Sequence, residues 1–257
     1  MIVDHPLITR KVFFPEPNDV EVDLAVEADG ATLGCLRSHA HDGAGTLLHF
    51  HGNGETAAEH VNLFRDSFLA MGVNVCFAEY RGYGTSTGEP ALGAMLPDGE
   101  RIAAELGDPS RLVVYGRSLG SVYALELARR IPDLAGLVIE SGLSDVGAWL
   151  RGKLERNGGL TALGCTEEEF EAEVAGHFDF ESTLRNFRGG VLVMHAENDH
   201  LLPAAHAERL HEWAADPGKK LALFPRGDHN TFLLQNTEDY LAELGDFLRR
   251  VGVTAEG

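Results

Sequence analysis

Ser118 stands between two glycines in the stretch "YGRSLG", residues 115–120. The apolar run Leu112 to Tyr115 precedes it and a helical pattern follows, so the hydroxyl falls where a buried strand turns into a helix. A G-x-S-x-G in that setting lifts the serine clear of a sheet, and small flanking residues leave room for a sharp turn. Serine is a poor nucleophile until a base takes its proton, and the base works best when a carboxylate holds its tautomer. Two later loops supply both groups. "GVLVMHAENDHLLP" puts Asp199 after one apolar run, and "LALFPRGDHNTF" puts His229 after the next. The chemistry expected of this set is acyl transfer, with Ser118 as nucleophile, His229 as base and Asp199 as acid.

Competing readings of the same residues stay open at this level. Asp199 could instead organise the turn before a helix starting near Pro203, and Asp145, after the sixth strand, is the reserve acid. Asp228 is next to His229, but adjacent side chains rarely face one another. His195, His200 and His206 come from the same region; His229 is preferred because its loop follows a full strand–helix unit after Asp199. An oxyanion would rest on two backbone N–H groups, that of Asn53 in the loop "HGNGE" (51–55) and that of Leu119. The pairs "HAH" (39–41) and "HFH" (49–51) suggest metal ligation, but no further ligands complete a set at recognisable spacing. No metal is expected.

The elements that must position these groups alternate along the chain. Candidate strands are 20–27, 31–38, 46–51, 73–78, 111–116, 134–140, 190–196 and 219–225. The first alternates, as a half-exposed antiparallel edge would; most later ones are continuously apolar, as strands buried on both faces are. Helical patterns fall at 55–71, 91–106, 118–131, 203–215 and 237–250. Strand–helix alternation predicts an α/β doubly wound, mostly parallel sheet. From about 143 to 188 no strand pattern occurs, and two helical patterns predict a helical lid inserted in one domain spanning 1–257.

Composition narrows the partners. With 40 acidic and 21 basic residues the formal charge is −19, which disfavours nucleic acid and anionic lipid surfaces and argues weakly against strongly anionic substrates. The cysteines Cys35, Cys76 and Cys165 are scattered, and Cys76 sits in an apolar run, so a reducing compartment is expected. Nothing reaches the ~18 apolar residues of a membrane span. A soluble, cytoplasmic protein acting on a small acyl substrate is the expectation; oligomeric state is unreadable.

"HGNGE", "YRGYGTSTGEP" (80–90), "YGRSLGS", "HAENDHLLP" and "GDHN" follow the motif order of the α/β-hydrolase superfamily. The chain most resembles its BEM46/ABHD13/17-like branch of small serine hydrolases, from roughly 20 to 251. The resemblance implies an eight-stranded sheet, no cofactor, and Ser118, Asp199 and His229 as the triad. It places Arg81 and Tyr83 in a segment bordering the site, although a structural turn explains them equally well. Esters, thioesters and amides all suit such machinery, and some members of the fold have lost catalysis, so a binding protein is the competing class.

Overall fold

Each apolar run puts successive side chains on opposite faces, and a sheet made of such runs must be covered on both sides. In the computed structural model, which describes residues 1–255, the strands are β1 (Leu24–Ala28), β2 (Ala31–Ser38), β3 (Thr46–Phe50), β4 (Asn74–Ala78), β5 (Leu112–Arg117), β6 (Gly136–Glu140), β7 (Gly190–Ala196) and β8 (Lys220–Phe224). The helices are α1 (Pro6–Val12), α2 (Ala57–Leu69), α3 (Asp98–Leu106), α4 (Gly120–Arg130), α5 (Val146–Leu154), α6 (Glu167–His177), α7 (Phe180–Asn186), α8 (Ala205–Trp213), α9 (Phe232–Gln235) and α10 (Thr237–Arg250). The strands form one sheet in the order β1-β2-β4-β3-β5-β6-β7-β8. Only β2 runs against its neighbours.

The core divides as the alternation requires. Leu47, Val75, Val113, Val138 and Leu192 face one side, against Phe64 and Phe68 of α2 and Tyr240 and Leu244 of α10. Leu48, Cys76, Val114, Ile139 and Val193 face the other, against Ile102 of α3, Val122 and Leu125 of α4 and Leu210 of α8. Each fully buried aliphatic side chain is worth about 1.5–3 kcal/mol, so both layers contribute to holding the sheet. The strand order reverses beside β3: β4 lies on one side and β5 on the other. Ligands bind such sheets at the carboxyl ends of the strands, at that crevice.

Three helices fall outside the sequence expectation: α1, α7 and α9 are four to seven residues long, too short to display a helical period. The expected helix 91–106 begins only at Asp98, and β1 is shorter than 20–27. Residues 143–188 contain no strand among the described residues, only α5, α6, α7 and two 3₁₀ turns, Glu155–Asn157 and Gly159–Leu163. A capping box between Thr166 and Glu169 starts α6. The α7 helix packs on α4 and α8, filling the crossover between β6 and β7, while α5 packs on α1 and α6. Among the described residues no helix is long and apolar enough to cross a membrane.

Candidate functional site

The turn from β5 into α4 is tight enough to force Ser118 to φ +50°, a region non-glycine residues enter only when the surroundings hold them there. Its N–H donates to the Glu140 carbonyl at 2.8 Å, anchoring the turn to β6. The glycines have separate reasons. A Cβ at Gly116 would lie 2.6 Å from Ala124 Cβ, and one at Gly120 would press on the Phe50 carbonyl and lie 2.7 Å from that of His51. They let α4 pack directly on β3 and β5, which sets the height of the hydroxyl above the sheet.

Loops after β7 and β8 bring the other two groups to this edge. His229 Nε2 is 3.0 Å from Ser118 Oγ, and His229 Nδ1 is 2.6 Å from Asp199 Oδ2. Asp199 also organises its own turn: Oδ1 accepts the N–H groups of Leu201 and Leu202 at 2.9 and 2.8 Å. The two roles proposed for it are therefore compatible, one oxygen to the backbone and one to the imidazole. Burial pushes the Asp199 carboxyl up, but hydrogen bonds from His195 and His229 and from the Leu202 amide hold it far below the ordinary carboxylate range. A permanent carboxylate at Nδ1 favours the tautomer that leaves Nε2 free to accept a proton.

The alternative residues do other things. Asp145 caps α5 through the Ala148 N–H at 2.8 Å. Asp228 Oδ1 accepts from Asn230, Thr231 N–H and the Thr231 hydroxyl. His195 lies fully buried under Asp199, its Nε2 at 2.7 Å from the Leu202 carbonyl and 3.3 Å from Asp199 Oδ2. His206 pairs with the Ser144 hydroxyl at 2.8 Å. Of the "HFH" pair, His49 stacks on Tyr115 with ring centroids 4.7 Å apart, and His51 Nε2 meets Glu79 at 2.6 Å.

Asn53 and Leu119 both line the cavity that holds Ser118, and the backbone N–H of neither has a protein acceptor among the described residues. The Asn53 side chain is spent on structure. Its Nδ2 donates to the Val12 carbonyl, and its Oδ1 accepts from Phe14 N–H at 3.0 Å and from the Tyr83 hydroxyl at 2.8 Å. Tyr83 thus braces this loop against the segment following α1. Arg81 makes a bidentate pair with Asp98, both distances 2.7 Å, and is mostly buried; it holds the sheet edge rather than facing the site.

Sequence reasoning missed Arg117, the residue before the serine. Its guanidinium is nearly buried and reaches Glu140 at 3.1 Å, Glu55 in the loop after β3, and the His229 carbonyl at 3.2 Å. One side chain thereby ties together the loops carrying Ser118, Asn53 and His229. Its charge is neutralised by two carboxylates, as burial demands. A cationic residue inside an otherwise apolar strand end was the available signal.

Above Ser118 and His229 opens a cavity of about 900 Å³. Asn53 and Leu119 line it, as do Leu143, Trp149, Lys153 and Arg156 from α5 and its flanks. Of the 143–188 segment, residues 143–156 line this cavity.

Comparison with known proteins agrees with this architecture. No protein-family model matches the chain. It is 26% identical over 220 residues to the protein bem46 of Schizosaccharomyces pombe, covering 83% of this chain and 70% of that protein. It is 26% identical over 217 residues to the alpha/beta hydrolase domain-containing protein WAV2 of Arabidopsis thaliana, covering 80% and 70%. Among solved structures, the esterase Pf2001 of Pyrococcus furiosus superposes with a TM-score of 0.70 at 18% identity, covering 89% of this chain and 92% of that one. That likeness establishes the fold.

Proposed function

We propose that this chain, which has the α/β-hydrolase fold and falls by sequence in its Bem46-like branch, is a serine hydrolase of small acyl esters. The observation that carries the reading is the hydrogen-bonded series Asp199–His229–Ser118, set at the strand crevice under an open cavity. Ser118 Oγ attacks the acyl carbonyl as His229 Nε2 takes its proton, and the amides of Asn53 and Leu119 receive the oxyanion. The C–O bond to the alcohol breaks and His229 protonates the leaving oxygen. Water, deprotonated by the same imidazole, then cleaves the acyl-serine to release the carboxylic acid and restore Ser118. Residues 143–156 act in this scheme as a wall over the bound acyl group. Esters come before thioesters and amides because they demand least of the leaving group.

The test is labelling with a fluorophosphonate probe alongside hydrolysis of short p-nitrophenyl esters. Wild type should label at Ser118, and Ser118→Ala should neither label nor retain more than about a thousandth of the rate. Asp199→Asn should lower kcat severely while the thermal transition stays cooperative. A folded wild type that neither labels nor turns over ester would instead favour a binding protein on this scaffold.

A further inference from the structure

The chain carries nearly two acidic residues for each basic one, yet the cavity over Ser118 has the opposite character. Besides His229 itself, its charged or titratable lining groups are Glu55, Arg117, Lys153, Arg156, His200 and His206. Glu55 is already engaged by Arg117 and by His60 at 2.8 Å, and Arg117 is balanced by Glu55 and Glu140. That leaves Lys153 and Arg156, which have no carboxylate partner among the described residues. Carboxylates are close at hand: Glu167 and Glu171 of α6 both pair with Arg151, two positions before Lys153. Lys153 instead lies over the Trp149 ring, Nζ 5.5 Å from its centroid. This contact holds the ammonium at the wall without neutralising it.

We infer that, granted the serine hydrolase reading, the preferred substrates are acyl esters bearing an anionic group, carboxylate or phosphate, away from the scissile bond, received by Lys153 and Arg156. The overall charge of −19 does not oppose this. Exposed charges beyond about 8–10 Å are screened at physiological salt, so a substrate in the cavity responds to the nearest groups. A cleft of one sign within a surface of the other also selects which end of a substrate enters first.

The experiment compares kcat/KM for matched esters ending in a carboxylate, a phosphate monoester, a neutral methyl ester and a quaternary ammonium. The measured quantity is the ratio of anionic to neutral substrate, so a general loss of activity cancels. Wild type should favour the anionic esters by about tenfold at low salt, declining as salt is added; the carboxylate and phosphate arms show which anion is preferred. The ratio should fall toward one in Lys153→Gln/Arg156→Gln and invert toward the ammonium ester in Lys153→Glu/Arg156→Glu. A wild-type ratio at or below one, or a ratio unmoved by both double variants, overturns the inference while fluorophosphonate labelling of Ser118 leaves the hydrolase reading standing. If Ser118 does not label and no ester is cleaved, both fall together.

Discussion

At residue scale, the backbone of Ser118 is under strain that the hydroxyl alone does not explain. A left-handed conformation costs a non-glycine residue about 1 kcal/mol or more, and Ser118 adopts φ +50°. Ser118→Ala and Ser118→Gly both remove the hydroxyl, but only glycine relieves the turn. The glycine variant should therefore melt about 2 °C above the alanine variant by calorimetry. Equal melting temperatures would mean that α4 and β5 do not hold the turn in its strained form. The same economy governs Asp199. Its two oxygens serve the Leu201–Leu202 turn and the His229 ring, so Asp199→Asn can keep an oxygen on the turn amides while removing the carboxylate that fixes the imidazole tautomer.

At the scale of elements, the close approach of α4 to β3 is what raises the serine. Gly120→Ala puts a methyl against the Phe50 and His51 carbonyls, backbone atoms that cannot rotate away. It should cost about 3 kcal/mol in denaturant unfolding and displace the turn, lowering the rate of Ser118 labelling. Gly176→Ala is the matched control. It is exposed on α6 with no atom near its added Cβ, and should be neutral or stabilise by up to about 1 kcal/mol. If Gly120→Ala behaved like Gly176→Ala, the packing account of the turn would be wrong.

For the whole molecule, the charges beneath the site tie its loops into one acid-sensitive unit. Burial raises the Glu55 carboxyl, but His60, Arg117 and the Gly52 amide outweigh it and hold the pKa at about 2, from an ordinary 4.5. A carboxylate depressed on folding adds stability that is complete above its unfolded value and is lost as pH falls toward the folded one. The melting temperature should thus decline between about pH 4.5 and 2, with Glu55 accounting for at most about 3 kcal/mol. Glu55→Gln should be less stable at neutral pH and show a shallower acid slope. An unchanged slope would assign the acid sensitivity to other carboxylates, with Asp199, depressed in the same direction, the next to replace.

Local pattern alone determined much of this protein. Seven of the eight strands, β2 to β8, lie within a residue or two of their apolar runs; for β3 to β7, burial on both faces leaves a run that no exposed loop would carry. Strand ends followed by polar loops pointed to Ser118, Asp199 and His229 as occupants of one edge, since parallel strands put all their carboxyl ends on the same side. Short α1, α7 and α9 were invisible, for helices of one or two turns are made by contacts rather than by period. Tertiary structure alone decided the rest. It joined Arg117 to three loops, turned Asn53's side chain away to Val12, Phe14 and Tyr83, and left Lys153 and Arg156, with no carboxylate partner among the described residues, lining the cavity that holds Ser118. Charge pairing depends on which residues distant in the chain become neighbours, and composition averages that distinction away.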